Sequence, residues 1–301
     1  MAEGPTESPV AAEVTRVLSD LHYGDPASRV RSLDALCPLF AGADRVVFNG
    51  DSVETRRSPI SEQTNRIREE FLDFARNDVP GCTVITGNHD PDLSAVHHLE
   101  LLGSIVFITH GEVLFEDLVP WSRELAQTRE FFQQELAALP AALRESPGER
   151  LAAGKRACAR LELTVDPHPR HPWGRFHRTM LTFWPPHRVL AMLKAWRQLP
   201  DRAATFARQF RPGVRFVLIG HTHRPGVWIR SDLVVINTGS FRPPFGCYAV
   251  DVSAPQIVVR QVRYSGGSFT LGRVVAAFAL APTGGGSTDP SGLLPVLAPA
   301  P

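Results

Sequence analysis

The chain has no CxxC pair: its four cysteines, Cys37, Cys82, Cys158 and Cys247, are scattered over 301 residues. That spacing excludes a zinc finger or a disulfide scaffold and leaves buried or inert thiols, with Cys82 expected to pack in a strand. Also missing is any apolar run of the roughly 18 to 20 residues that a membrane-spanning helix needs. The opening MAEGPTESPVAAE has neither the basic residue nor the following apolar segment of a secretory signal, so a cytoplasmic location is expected. No dense run of Lys or Arg occurs, which argues against nucleic acid as the partner, and there is no internal repeat.

What remains has average composition, 43% hydrophobic and 21% charged, as expected of a soluble globular chain of one large domain or two ordinary ones. The net charge of +1 conceals a division. Residues 118 to 212 hold 16 Lys and Arg against 8 Asp and Glu, a surplus of +8, so the remainder carries −7. An acidic remainder suits cations, and a basic middle suits an anionic substrate or a solvated helical surface.

Short apolar runs recur, each closed by a polar or glycine-containing turn. Val14 to Leu18 precedes SDLHYG, Val46 to Phe48 precedes NGDS, and Val84-Ile85 precedes TGNHD. Ile105 to Ile108 precedes THGE, Val214 to Ile219 precedes GHTH, and Leu233 to Ile236 precedes NTGS. These read as six buried strands that deliver polar residues at their C-terminal ends, the edge where ligands sit in open α/β sheets. Arg29 to Phe40 and Ser61 to Asn77 read as helices, and Cys247 to Val252 and Ile257 to Val262 as further strands, so the class is α/β of α+β type.

Residues 118 to 212 break the rhythm. Helices are expected over Trp121 to Leu143, Glu149 to Leu163 and His187 to Phe210, the last with a core stripe of Val189, Met192, Leu193 and Trp196. The intervening VDPHPRHPWGRFHRTMLTFWPPH reads as loop, its His168, His171 and His177 having no metal-ligand spacing, nor has His187. The expectation is a main domain over 13 to 117 and 213 to 281, interrupted by a helical cap. The tails, 1 to 12 and 282 to 301, are Pro, Gly, Ser and Ala rich and are expected to be disordered.

In an extended segment residues i and i+2 share a side, so His221 and His223 of GHTH can face one metal. Alone, GHTH is a polar turn, and Asp20 or Asp51 an ordinary turn or helix N-cap residue. Together the strand ends offer Asp20, His22, Asp51, Asn88, His110, His221 and His223, with His89 beside them. This nitrogen and oxygen donor set suits Mn, Fe, Zn or Co better than a thiolate site would. Seven ligands exceed the needs of one tetrahedral ion, whereas two ions sharing a carboxylate use them all. His97 and His98 read as helix-surface residues.

The ordered blocks D-x-H, GD, GNHD, H and GHTH resemble those of the calcineurin-like metallophosphoesterases. The resemblance implies a four-layer αββα sandwich of two mixed sheets and a hydrolase with two divalent ions, manganese expected, with iron, zinc or cobalt as alternatives. It implies that Asp20, His22 and His223 hold one ion, that Asn88, His110 and His221 hold the other, and that Asp51 bridges them. His89 would face the substrate as acid, with Asn88 also near the substrate and Asp90 orienting His89. NTGS at 237 to 240 is similar to the NPGS block of many relatives, with Gly239 and Ser240 shaping the site's edge. Arg224 and Arg242, close by in sequence, are candidate phosphate contacts.

The inserted segment is similar in position and character to the cap of UDP-2,3-diacylglucosamine pyrophosphohydrolases. In several of those an arginine stands where this chain has His89, and GDSVET differs from their GDLFE-like block. The expected substrate is a small-molecule phosphomonoester, phosphodiester or pyrophosphate, with nucleotide- or lipid-linked esters as candidates. The competing readings are a catalytically silent binding or scaffold protein and a nuclease.

Overall fold

The strand runs alternate between two apolar faces, and a strand with two apolar faces must be covered on both. The computed structural model describes residues 12–55, 62–122, 125–144, 146–160 and 186–280. In it β1 (Thr15–Leu18), β2 (Arg45–Asn49) and β3 (Thr83–Ile85) lie parallel, and β9 (Tyr248–Val252), β10 (Gln256–Ser265) and β11 (Ser268–Ala279) extend that sheet antiparallel from β1. A second sheet has the order β4 (His98–Leu101), β5 (Val106–Thr109), β6 (Phe216–Ile219), β8 (Leu233–Asn237), β7 (Gly226–Arg230), with β5, β6 and β8 parallel.

Val17, Val47 and Ile85 of the first sheet share one buried cluster with Val106, Ile108, Phe216 and Leu218 of the second, so the sheets pack face to face. Their neighbours in sequence point the other way. Leu18, Val46 and Phe48 meet Phe71 and Phe74 of helix α1 (Glu62–Asn77), while Phe107, Val217 and Ile219 meet Phe132, Leu151 and Leu199. Those last three lie on α2 (Leu125–Ala138), α3 (Pro147–Ala159) and α4 (Pro186–Phe210). The result is four layers, helix, sheet, sheet, helix, as the fold class expected. The segment carrying α2 to α4 leaves the sheet after β5 and returns at β6, the parallel neighbour of β5.

Several local expectations are corrected. Arg29 to Phe40 is not a long helix but a 3-10 helix over Asp34–Phe40, because Pro38 has no N–H to give an α-helical ladder. The helix expected over Trp121 to Leu143 is confined to Leu125–Ala138, with Pro140 standing before a separate 3-10 turn at Ala141–Leu143. His97 and His98 are half-buried at the start of β4 rather than on a helix, and His97 Nδ1 lies 2.8 Å from Thr86 Oγ1. The α4 stripe is only partly core: Leu193 is 48% exposed, and the buried side is Ala195, Leu199, Ala203, Ala204 and Ala207. Ala203, Ala204 and Ala207 let the second half of α4 approach the sheet closely, whereas Leu190 and Leu193 in the first half stay exposed. Cys37 is exposed and Cys82 half-buried, while Cys158 and Cys247 are buried. The two tails, the stretch from 161 to 185 with His168, His171 and His177, and the far end of Glu149 to Leu163 lie outside the described residues.

Phe71 is fully buried, its ring 5.4 Å from that of Phe48 in an edge-on contact that seats α1 on the first sheet. Phe71→Ala should lower the free energy of unfolding by about 3–5 kcal/mol, measured by urea denaturation, while leaving metal content per folded chain unchanged.

Candidate metal centre

Strand ends from both sheets deliver the candidate ligands to one edge. Asp20 and His22 follow β1, Asp51 follows β2, Asn88 follows β3, His110 follows β5, and His221 and His223 follow β6. Five of these sit in the left-handed backbone region: Asp20 (φ 54°), His22 (48°), Asp51 (52°), His221 (67°) and His223 (58°). Non-glycine residues adopt it in only a few per cent of cases, so neighbouring contacts must hold them there. They do: Asp20 N–H donates to Gly50 O at 3.0 Å, His22 N–H to Asp51 O at 2.8 Å, and His221 N–H to both Asp20 carboxylate oxygens at 3.2 Å.

Asp20, His22, Asp51 and His223 each offer a ligand atom, all within 4.8 Å of one another. His22 Nε2 is 3.0 Å from His223 Nε2, which is 3.2 Å from Asp20 Oδ1. Asp51 Oδ2 stands 3.8 Å from His22 Nε2 on this side and 3.3 Å from His110 Nε2 on the other. His221 Nδ1 is 2.8 Å from Asn88 Oδ1. Asp51 thus stands between the Asp20, His22 and His223 cluster and His110, whose ring lies 5.4 Å from that of His221.

The donor chemistry fits cations. His110 Nδ1–H donates to the Asn49 carbonyl at 2.9 Å, which directs Nε2 inward, and that buried nitrogen has no hydrogen-bond partner. His221 Nε2–H donates to the Leu118 carbonyl at 2.9 Å, so Nδ1 turns a lone pair toward the Asn88 oxygen. Two acceptors that close repel unless a cation lies between them. Burial above all pushes His22 and His221 down to about 4, keeping both imidazoles neutral and able to ligate. Burial opposes charge on His110 too, but Asp51 and Asp20 overcome it and push that imidazole up to about 10.

Three glycines make this convergence sterically feasible. A Cβ on Gly50 would collide with the His110 ring, one on Gly87 with the Asp51 carboxylate, and one on Gly220 with the Asp20 carboxylate. Ser240 Oγ–H and Phe241 N–H both donate to Asp20 O at 3.1 Å, so NTGS braces the Asp20 turn.

His89 is 25% exposed at its side chain, and its Nδ1 lies 2.9 Å from Glu54 Oε2. Glu54, three residues after Asp51, was missed as a site residue; its only signal is an acid in the GDSVET block. Burial raises the Glu54 carboxyl, but His89 and His22 prevail and hold it well below its ordinary value. Asp90, expected to orient His89, is not the carboxylate at His89 Nδ1, a place that Glu54 takes. The Asp90 carboxylate instead accepts backbone N–H groups from Gly87, Asp51, Ser52 and Val53 at 2.5, 3.1, 2.6 and 3.2 Å. Arg242 pairs with Asp25 at 3.2 Å, and Arg224 lies over the Trp196 ring, 5.6 Å from its centroid. Trp196 donates from Nε1 to Thr222 O at 2.8 Å, and the Trp121 ring is 5.1 Å from that of His221.

A family model described as calcineurin-like phosphoesterase matches residues 15–225. No curated protein matches the chain. Among solved structures, it is similar to a conserved uncharacterized protein (predicted phosphoesterase) from Streptococcus pneumoniae, with 16% identity over 87% of this chain and 98% of that one and a TM-score of 0.37. It is similar to a dimetal phosphatase from Danio rerio, with 12% identity, coverage of 83% and 95% and a TM-score of 0.41. Vacuolar Protein Sorting 29 from Cryptosporidium parvum gives 12% identity, coverage of 89% and 99% and a TM-score of 0.39.

In metal-free protein the folded value of His110, about 10, lies above its ordinary 6.5. The stabilisation it confers is therefore complete below about pH 6.5 and is lost as pH rises through about 10. Thermal unfolding in EDTA should show the midpoint falling across that window by at least ~3 °C, and His110→Gln should flatten the profile. A midpoint that rises there would contradict the assignment.

Proposed function

The chain belongs to the calcineurin-like phosphoesterase family, and we propose that it is a two-metal phosphohydrolase acting on a small-molecule phosphoester. The observation that carries this reading is the position of Asp51 Oδ2 between His22 Nε2 at 3.8 Å and His110 Nε2 at 3.3 Å, with a full set of donors on each side. Asp20, His22 and His223 would hold one divalent ion, Asn88, His110 and His221 the other, and Asp51 both. The donor set suits manganese, with iron, zinc or cobalt as alternatives. When bound, the ions supply Lewis acidity toward phosphoryl oxygens and bring a water's pKa near neutral.

The protein's own groups do the rest. His89 is the proton donor to the leaving oxygen: it is partly exposed, and the Glu54 carboxylate at Nδ1 orients its ring. Asn88, one residue before it, aligns the ester oxygen. Arg224, exposed and adjacent to His223, offers a fork of donors to a phosphate or carboxylate on the substrate. Trp196, hydrogen-bonded to the GHTH turn, and Trp121, beside His221, bring apolar surface from the inserted segment to the metal centre. Substrate selection by that segment follows, with monoesters, diesters and pyrophosphates, nucleotide- or lipid-linked among them, as the classes to compare.

Three variants test the roles. Asp51→Asn should lose bound metal and hydrolysis together. His89→Ala should retain metal yet lose ~10²–10⁴-fold in kcat, and Glu54→Gln should lower kcat with metal retained, since the His89 ring loses the carboxylate at its Nδ1. Activity is read on aryl phosphates, diesters, nucleotides and UDP-diacylglucosamine with Mn, Fe, Zn and Co. Protein that carries two ions and hydrolyses none of these would be a silent binding protein, contrary to the proposal.

A further inference from the structure

Lys155 is 2% exposed in the middle of α3, a place where an ammonium group needs a reason. Its Nζ–H donates to the Thr86 carbonyl at 2.5 Å and pairs with Glu112 Oε1, on a side chain that is itself fully buried. The helix comes close enough because residue 154 is glycine: a Cβ there would stand 2.7 Å from Val113 Cγ1. Thr86 opens the TGNHD turn after β3, and Glu112 closes the THGE turn after β5. One ammonium thus ties a loop of the first sheet to a loop of the second. Asn88 lies two residues beyond the first anchor, and His110 two residues before the other.

Stability alone does not call for this arrangement, because a buried ion pair is commonly no better than apolar residues of the same volume. The GHTH loop, which carries one ligand of each group, is held differently. Asp20 receives His221 N–H, and Asn237 Nδ2–H donates to Gly220 O at 2.7 Å. No contact of Lys155 reaches that set among the described residues.

We propose that Lys155 is a positioning residue for the ion held by Asn88, His110 and His221, setting the distance between the two loops that carry Asn88 and His110. The proposal rests on the two-metal reading above. Metal-stripped wild type, Lys155→Met and the Lys155→Met/Glu112→Leu double variant would be titrated with Mn²⁺ by calorimetry, with ions per chain counted by elemental analysis. Wild type should bind two ions. Lys155→Met should keep one with unchanged affinity and bind the second ~10-fold or more weakly, as changes behind metal ligands commonly do, with partial recovery in Lys155→Arg.

The double variant leaves no unpaired buried charge and keeps the question open to test should Lys155→Met fail to fold. It too should lose the second ion selectively, because the Thr86 carbonyl has lost its anchor. Two ions bound by the double variant with wild-type affinity, or equal weakening of both, would overturn the proposal. Fewer than two ions in wild type would overturn the two-metal reading itself, and the positioning role with it.

Discussion

Asp51 is 1% exposed, and its two carboxylate oxygens meet groups from three other loops. Oδ1 accepts His89 N–H at 2.8 Å, while Oδ2 faces His22 and His110. A carboxylate buried without such partners costs several kcal/mol, so it is stable here only if those loops arrive together. They leave β1, β3 and β5, which belong to different sheets. The requirement on one anion is thus a requirement on the sandwich: the C-terminal ends of the parallel strands in both sheets must meet at one edge, where polar groups collect.

Arrival is not enough, since each side chain must also turn inward within one or two residues of its strand. The left-handed backbone at five ligand positions makes that turn, at a cost of about 1–3 kcal/mol each where the residue is not glycine. Surrounding bonds offset it, and the glycines supply the room. Gly50 precedes Asp51 yet clears space for His110, Gly87 precedes Asn88 yet clears space for Asp51, and Gly220 precedes His221 yet clears space for Asp20. Each glycine serves a ligand from another block, which gives a steric reason for glycine directly before a ligand in NGD, TGNHD and GHTH.

Much of this was legible in the sequence for a physical reason. Apolar runs of period two report both faces of a strand, and the polar residue after each run reports the strand's end. The strands and the candidate ligands at their ends followed from those signals, whereas the two sheets and their four layers followed from the resemblance that the ordered blocks carry. Glu54, Glu112 and Lys155 did not, because none has a spacing rule. Lys155 meets Thr86 across 69 residues of chain, and only the packing of α3 against the edge of the sheets brings them together. The α4 stripe failed in the opposite sense. Its periodicity announced an amphipathic helix, but periodicity does not say how close a neighbour comes, and the alanines further along decided which half was covered.

The role of Asp90 shows what a motif conceals. Next to His89 in sequence, it reads as that residue's partner, yet its carboxylate accepts four backbone N–H groups, three from the consecutive residues Asp51, Ser52 and Val53. Burial and the nearby Asp51 charge push it up to about 6, so the N–H groups are what make its anion tolerable near neutrality. The effect on geometry is direct. Asp51 begins the braced stretch and Glu54 follows it, and Glu54 is the group that meets His89. Asp90 therefore works through the backbone: it braces the turn from which the Asp51 carboxylate and Glu54, the partner of His89, both project. Their separation is set by four hydrogen bonds to one side chain rather than by the length of a flexible loop.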